Sequence, residues 1–186
     1  WAPLSLGRAW GPSAMAIILG IDPGSQKTGF GIIDTLNGRH RYITSGVIRL
    51  PRAPLPERLC VIADSVAELV ELHGPSEMAI EQVFLARSAD AALKLGQARG
   101  AAIVPCVTRK SAVSEYSARQ IKQSVVGTGA ADKAQVQHMV RVLLALPGTP
   151  QEDAADALAA ALCHAHTRDG LVRVAGATAI RRGRLR

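Results

Sequence analysis

The stretch Ala16-Ile17-Ile18-Leu19-Gly20-Ile21-Asp22-Pro23-Gly24-Ser25 decides the reading of this chain. It is apolar for the length of one strand and ends on a carboxylate. Pro23 holds Asp22 extended and stops the strand there. A second short apolar run, Met78-Ala79-Ile80, ends the same way on Glu81. If the two strands pair in parallel, the two carboxylates become neighbours at one end of a sheet. Asp153 and Asp156 lie three apart in an alanine-rich segment, so on a helix they share one face about 5–6 Å apart. A helix laid across the strand ends would bring all four together. Oxygen-rich clusters of this kind hold Mg²⁺ or Mn²⁺, and paired divalent ions drive phosphodiester hydrolysis.

The rest of the pattern supplies the frame. Strands are expected at 16–22, 29–35, 40–49, 77–82 and 112–116, with a hairpin turn at Asn37-Gly38. Leu55, Leu59, Ile62, Val66, Leu69 and Leu72 recur at helical spacing over 55–72. Further helices are expected at 88–105, as one or two turns at 117–124, at 132–145 with Val136, Val140, Leu143 and Leu144 inside, and at 151–166. Three strands followed by alternating helix and strand give an α/β fold, a mixed five-stranded sheet with helices on both faces. The expected domain is 15–166. Residues 1–14, rich in Gly and Pro and holding both tryptophans, read as an extension foreign to the fold, with Met15 a plausible start. The Arg-rich segment 167–186 reads as a basic flexible tail.

At 186 residues with 48% apolar but only 3% aromatic content, the core must be built from Ala, Val, Leu and Ile. No apolar run approaches a membrane span. The net charge of +7 is unevenly placed: residues 87–141 carry nine basic and three acidic side chains, whereas 15–86 carry six basic and eight acidic. An acidic centre beside a basic segment suits a metal-dependent enzyme acting on a polyanion. Cys60, Cys106 and Cys163 are odd in number and far apart, which argues for a reducing compartment and against a disulfide framework or zinc site. The five histidines form no metal-spacing motif.

With these residues in hand, the chain from Met15 to about His166 closely resembles the RuvC family of Holliday-junction resolvases, within the ribonuclease H-like superfamily. The motifs that carry the resemblance are Ile-Leu-Gly-Ile-Asp-Pro-Gly-Ser (18–25), Ala-Ile-Glu-Gln-Val-Phe (79–84), Ala-Leu-Lys-Leu-Gly-Gln-Ala-Arg-Gly (92–100), Lys-Gln-Ser-Val-Val-Gly (122–127) and Asp-Ala-Ala-Asp-Ala-Leu-Ala (153–159). The resemblance implies a bacterial, cytoplasmic, homodimeric endonuclease with no membrane association. It implies two Mg²⁺ ions per site, with Mn²⁺ able to substitute, held by Asp22, Glu81, Asp153 and Asp156. The substrate implied is a four-way DNA junction, nicked symmetrically in two opposed strands during homologous recombination and DNA repair. The partner implied is a branch-migration motor of the RuvA–RuvB type.

Other residues divide between a plain reading and the implied one. By pattern alone Phe84 is a core residue; the resemblance implies that it stacks on a base at the junction centre. Lys122 and Lys133 flank the Gly127-Thr128-Gly129 loop, either as solvated lysines or, as the family implies, as contacts to the DNA backbone. Arg87, Arg119 and Lys94 are further candidates for phosphate contacts. The helix bearing Leu93, Leu95, Ala98 and Ala102 fits a core helix and a dimer seam equally well. Two other functions compete. The Asp-Pro-Gly-Ser turn is similar to the phosphate loop of actin-like ATPases and sugar kinases, but those need a second, repeated domain. A non-catalytic junction-binding module would not need four carboxylates.

Overall fold

Leading the chain into its core, the opening apolar run forms β1 (Ala16–Asp22), which pairs antiparallel with β2 (Lys27–Leu36). In the computed structural model, which describes residues 15–82 and 88–183, β2 turns into β3 (Arg39–Arg49) through Asn37 and Gly38, both at positive φ (53° and 75°). Two left-handed residues are what a tight primed hairpin turn demands, which is why Asn-Gly stands there. Helix α1 (Leu55–His73) leads to β4 (Glu77–Glu81), and α2 (Ala89–Thr108) leads to β5 (Ala112–Tyr116). Then come α3 (Ala118–Val126), α4 (Lys133–Leu143) and α5 (Glu152–Gly183).

The five strands lie in the order β3-β2-β1-β4-β5, with β4 and β5 parallel to β1. Helices cover both faces, as expected. Helices α1 and α2 pack on Leu19, Ile21, Ile32, Met78 and Ile80, while α3, α4 and α5 pack on Ile18, Ile33 and Ala79. Because side chains alternate along a strand, Asp22 points to the same face as Ile18 and Gly20, and Glu81 to the same face as Ala79. That is the α5 face. Among the described residues no helix is long and apolar enough to cross a membrane.

Helix α5 lies unusually close to the sheet. A Cβ on Gly20 would sit 2.0 Å from the Ala157 carbonyl oxygen, one on Gly29 2.0 Å from the Asp153 carbonyl oxygen, and one on Gly31 2.6 Å from Leu158 Cδ2. Opposite them α5 presents a run of buried alanines, Ala154, Ala155, Ala157 and Ala159 to Ala161. Backbone therefore rests on backbone, and the helix start is fixed against the ends of β1 and β2.

Several expectations change at the margins. Helix α5 continues to Gly183, so the stretch 167–183, expected as a flexible tail, is helical. No proline interrupts it, and Asp169, 3.7 Å from His40, and Arg168, 3.7 Å from Glu77, tie its middle back to the sheet. Leu143, expected inside, is exposed, as is Leu72 at the end of the α1 stripe, while Val70 is buried and Leu144 is inside as expected. Their helices carry apolar stripes wider than the faces they bury. The turns at 117–124 form the full helix α3, whose start is closed by a reciprocal cap between Ser117 and Gln120.

One buried polar network ties α5 to the far strands. His164 Nε2 lies 2.6 Å from Glu77 Oε2 on β4, and its Nδ1 lies 2.7 Å from the Tyr116 hydroxyl on β5. Replacing His164 by alanine leaves a buried carboxylate and a buried hydroxyl unpaired. We expect His164→Ala to cost about 3 kcal/mol in urea unfolding. A loss below about 1 kcal/mol would mean that solvent or Arg168 replaces the imidazole.

Candidate active site

Parallel pairing of Ile21 with Ile80 sets Asp22 and Glu81 side by side at the ends of β1 and β4. Asp153 and Asp156 project from the first turns of α5 into the same space. All four are partly buried. Asp22 shows the consequence most clearly: its carboxyl is pushed from 3.8 up to about 7, first by burial, then by the charges of Asp156, Glu81 and Asp153. Glu81 and Asp156 are also raised, each chiefly by burial. For Glu81 the next cause is the charge of Asp156. For Asp156, Glu152 and Asp153 also raise it, against Lys133 and Lys122, which lower it.

Lysines partly balance this charge. Lys27 Nζ donates to Asp153 Oδ2 at 2.5 Å, and Lys133, the first residue of α4, pairs with Glu152. Lys122, half-buried on α3, acts on both Glu81 and Asp156. The turn after Asp22 is itself fixed. Thr28 Oγ1 donates to the Gly24 carbonyl at 3.2 Å, and Arg58 Nη1 donates to the Ser25 carbonyl at 2.5 Å. That bracing delivers Lys27 to Asp153. Neither Lys27 nor Arg58 stands out in the sequence, because an exposed lysine after a turn and an arginine in a helix are ordinary.

The remaining candidates are placed less centrally. Arg119 is exposed on α3 and lies along the loop, its Cγ 2.6 Å from where a Gly129 Cβ would be. Lys94 pairs with Asp90 one turn away on α2, at 2.6 Å. Phe84 and Arg87 lie outside the described residues.

The donor set suits a hard divalent cation, since it is all oxygen and its excess negative charge is partly buried. Among the described residues no three acidic or histidine side chains are drawn together into a coordination shell.

The chain is similar to known proteins over most of its length. The family model described as "Crossover junction endodeoxyribonuclease RuvC" matches residues 18–164. The protein of that description from Saccharophagus degradans is 63% identical over 172 residues, covering 92% of this chain and 99% of its own length. Its counterpart from Teredinibacter turnerae is 58% identical, covering 91% of this chain and 99% of its own. Among solved structures, the Thermus thermophilus RuvC in complex with a Holliday junction substrate superposes with a TM-score of 0.79 at 33% identity, covering 84% of this chain and 97% of that one. A yeast mitochondrial Holliday junction resolvase shares the fold, with a TM-score of 0.59 at 11% identity. The matched span includes both strand-end carboxylates and the start of α5, and the chain belongs to the RuvC family of crossover junction endodeoxyribonucleases.

Proposed function

We propose that Asp22, Glu81, Asp153 and Asp156 hold two Mg²⁺ ions, with Mn²⁺ able to substitute, and that this site nicks one strand of a Holliday junction during recombination and repair. The observation that carries the reading is the partly buried carboxylate quartet, in which Asp22 is driven up to about 7 by burial and its three neighbours. Nothing in the packing of the sheet needs that charge. Bound there, divalent ions would supply the Lewis acidity that activates the attacking water and stabilises the leaving 3′ oxygen. The chain's own residues hold the geometry. Asp22 and Glu81 are fixed by strand pairing, and Asp153 and Asp156 by the glycine floor under α5. Lys122 and Lys133 meet the phosphate backbone beside the site, with Arg119 further out. The expected roles of Phe84 at the junction centre and Arg87 on phosphate belong to the same reading.

Two cuts require two sites, and we place the second on a second copy. Ala98 and Ala102 of α2 are buried in the core of the single chain. Leu93, Val104 and Val107 on the same helix are exposed, and a Cβ on Gly96 or Gly100 would meet nothing within 4 Å. This open apolar face is the proposed two-fold interface, consistent with a two-fold enzyme on a two-fold substrate. The protein would work in the bacterial cytoplasm beside a branch-migration motor of the RuvA–RuvB type. On a supercoiled cruciform, wild-type dimers should yield linear DNA, whereas mixed dimers of wild-type and Asp22→Asn chains should yield nicked circles. Linear product from the mixed dimers would sink the one-site, one-strand assignment.

A further inference from the structure

The sheet end that carries the carboxylates continues sideways into a group of exposed cations. Strand pairing sets Lys27 of β2 directly opposite Arg49 of β3, at the same end of the sheet as Asp22. Residues opposite one another share a face. Lys27 reaches Asp153 on α5, so Arg49 stands on the α5 face as well, while its neighbour Ile48 turns the other way, into the core with Ile62 and Val66 of α1. Arg52 follows in Pro51-Arg52-Ala53-Pro54, a segment held by the Leu50 N–H donating to the Gln26 carbonyl at 3.2 Å and the Ala53 N–H donating to the Pro51 carbonyl at 2.9 Å. Both arginines are exposed. The charge of Lys27 is answered by Asp153. Among the described residues neither Arg49 nor Arg52 has an acidic partner, and no acidic residue stands between Asp34 and Glu57 in the sequence.

Like charges directly opposite on paired strands destabilise a sheet, and an anion from outside the fold would offset that repulsion. Resting on the reading that the carboxylate site nicks a junction strand, we propose that Arg49 and Arg52 form a second phosphate track, which holds the DNA backbone on the β2–β3 side of the cut. Neighbouring strands lie about 4.8 Å apart, so Arg49 on β3 stands about 10 Å to the side of Asp22 on β1. It is also two residues further out in the register, about 7 Å beyond the end of β1. One DNA strand advances about 3.4 Å per nucleotide. A backbone that crosses the carboxylates at the cut therefore passes Arg49 about three nucleotides away. Lys122 acts on Glu81, whose strand β4 lies on the other side of β1, so the reacting phosphate has cations toward β3 as well as toward β4. A guanidinium can grip a phosphate through two parallel N–H bonds, and the prolines on either side of Arg52-Ala53 limit how far the backbone there can move. Such contacts set where the strand lies and carry no base preference of their own.

Binding of a four-way junction to the full-length Asp22→Asn chain, followed against salt concentration, tests this. Adding Arg49→Gln and Arg52→Gln together should weaken binding about 10-fold and lower the slope of log affinity on log salt by about 1 to 2. Arg41→Gln, which removes the same charge from the other end of β3 where it pairs with Asp34, should change neither. Neutral methylphosphonate linkages about three nucleotides from the cut, on one side of it only, should weaken binding of the Asp22→Asn chain and leave the chain lacking both arginines unmoved. Arg49→Gln by itself should not lower the urea midpoint, because it relieves a like-charge pair. Equal affinity and slope with and without the two arginines, while wild type still cuts in a metal-dependent way, overturns the track alone. A midpoint lowered by Arg49→Gln makes that arginine part of the fold and overturns it too. A wild-type chain that neither binds nor cuts the junction overturns the reading beneath, and the track with it.

Discussion

Asp22→Asn should lower nicking of a four-way junction on the order of 1000-fold or more, the scale of removing one preorganised electrostatic group at a reacting centre. Junction affinity should stay within about two-fold, because the substitution removes ligand charge and leaves the basic DNA-facing surface intact. The same change should stabilise the metal-free protein at neutral pH. In the folded chain the Asp22 carboxyl is raised from 3.8 to about 7, so the fold holds a proton there that the unfolded chain has already released. Wild-type stability in EDTA therefore falls as pH rises through that window, and the penalty is complete above it. Asparagine carries no such penalty. The full shift would correspond to about 4 kcal/mol; with solvent reaching the site, we expect a gain of about 2 kcal/mol above pH 7 and none below about pH 4. Urea unfolding at the two pH values reads this directly. A variant less stable than wild type at pH 8 in EDTA would mean that Asp22 is paired within the fold and is not a strained ligand. One that nicks at the wild-type rate would remove Asp22 from the site.

Gly29→Ala should produce the second large effect, and by a different route. Its Cβ would stand 2.0 Å from the Asp153 carbonyl oxygen and 3.1 Å from Asp153 Cβ. Neither the paired strand nor the helix backbone can move aside cheaply, so α5 must lift at the turn that carries Asp153 and Asp156. Overpacking of this kind commonly costs 1–3 kcal/mol, and a backbone clash belongs at the top of that range or above, about 3 kcal/mol. Nicking should be lost even at temperatures where the variant remains folded. Gly148→Ala, at a position where a Cβ meets nothing within 4 Å, is the control. A folded Gly29→Ala chain with normal nicking would show that α5 need not lie so close.

These two residues also mark what could be read from the chain alone. Asp22 and Glu81 were legible because each ends an apolar run, and period two then fixes the face they share. Asp153 and Asp156 were legible as a helical pair. The glycine floor was not, since Gly20, Gly29 and Gly31 look like any strand glycines until a helix is laid across them. The ion pair from Lys27 to Asp153 spans 126 positions and depends on a turn braced by Thr28 and Arg58, neither of which signals that role. His164 and His166 were passed over with the other histidines, which form no metal-spacing motif. The fold instead gives them separate partners on other elements, Glu77 and Tyr116 for one and Ser124 for the other. Helix α5 was drawn too short because an arginine-rich composition reads as solvated chain, although 167–183 contains no proline.

The most direct measurement is cleavage of a synthetic four-way junction beside a linear duplex of the same sequence, with Mg²⁺ and with EDTA. Symmetric nicks are expected in two opposed strands of the junction, with none in the duplex and no product in EDTA. Cleavage that persists in EDTA, or that consumes duplex and junction alike, would contradict it.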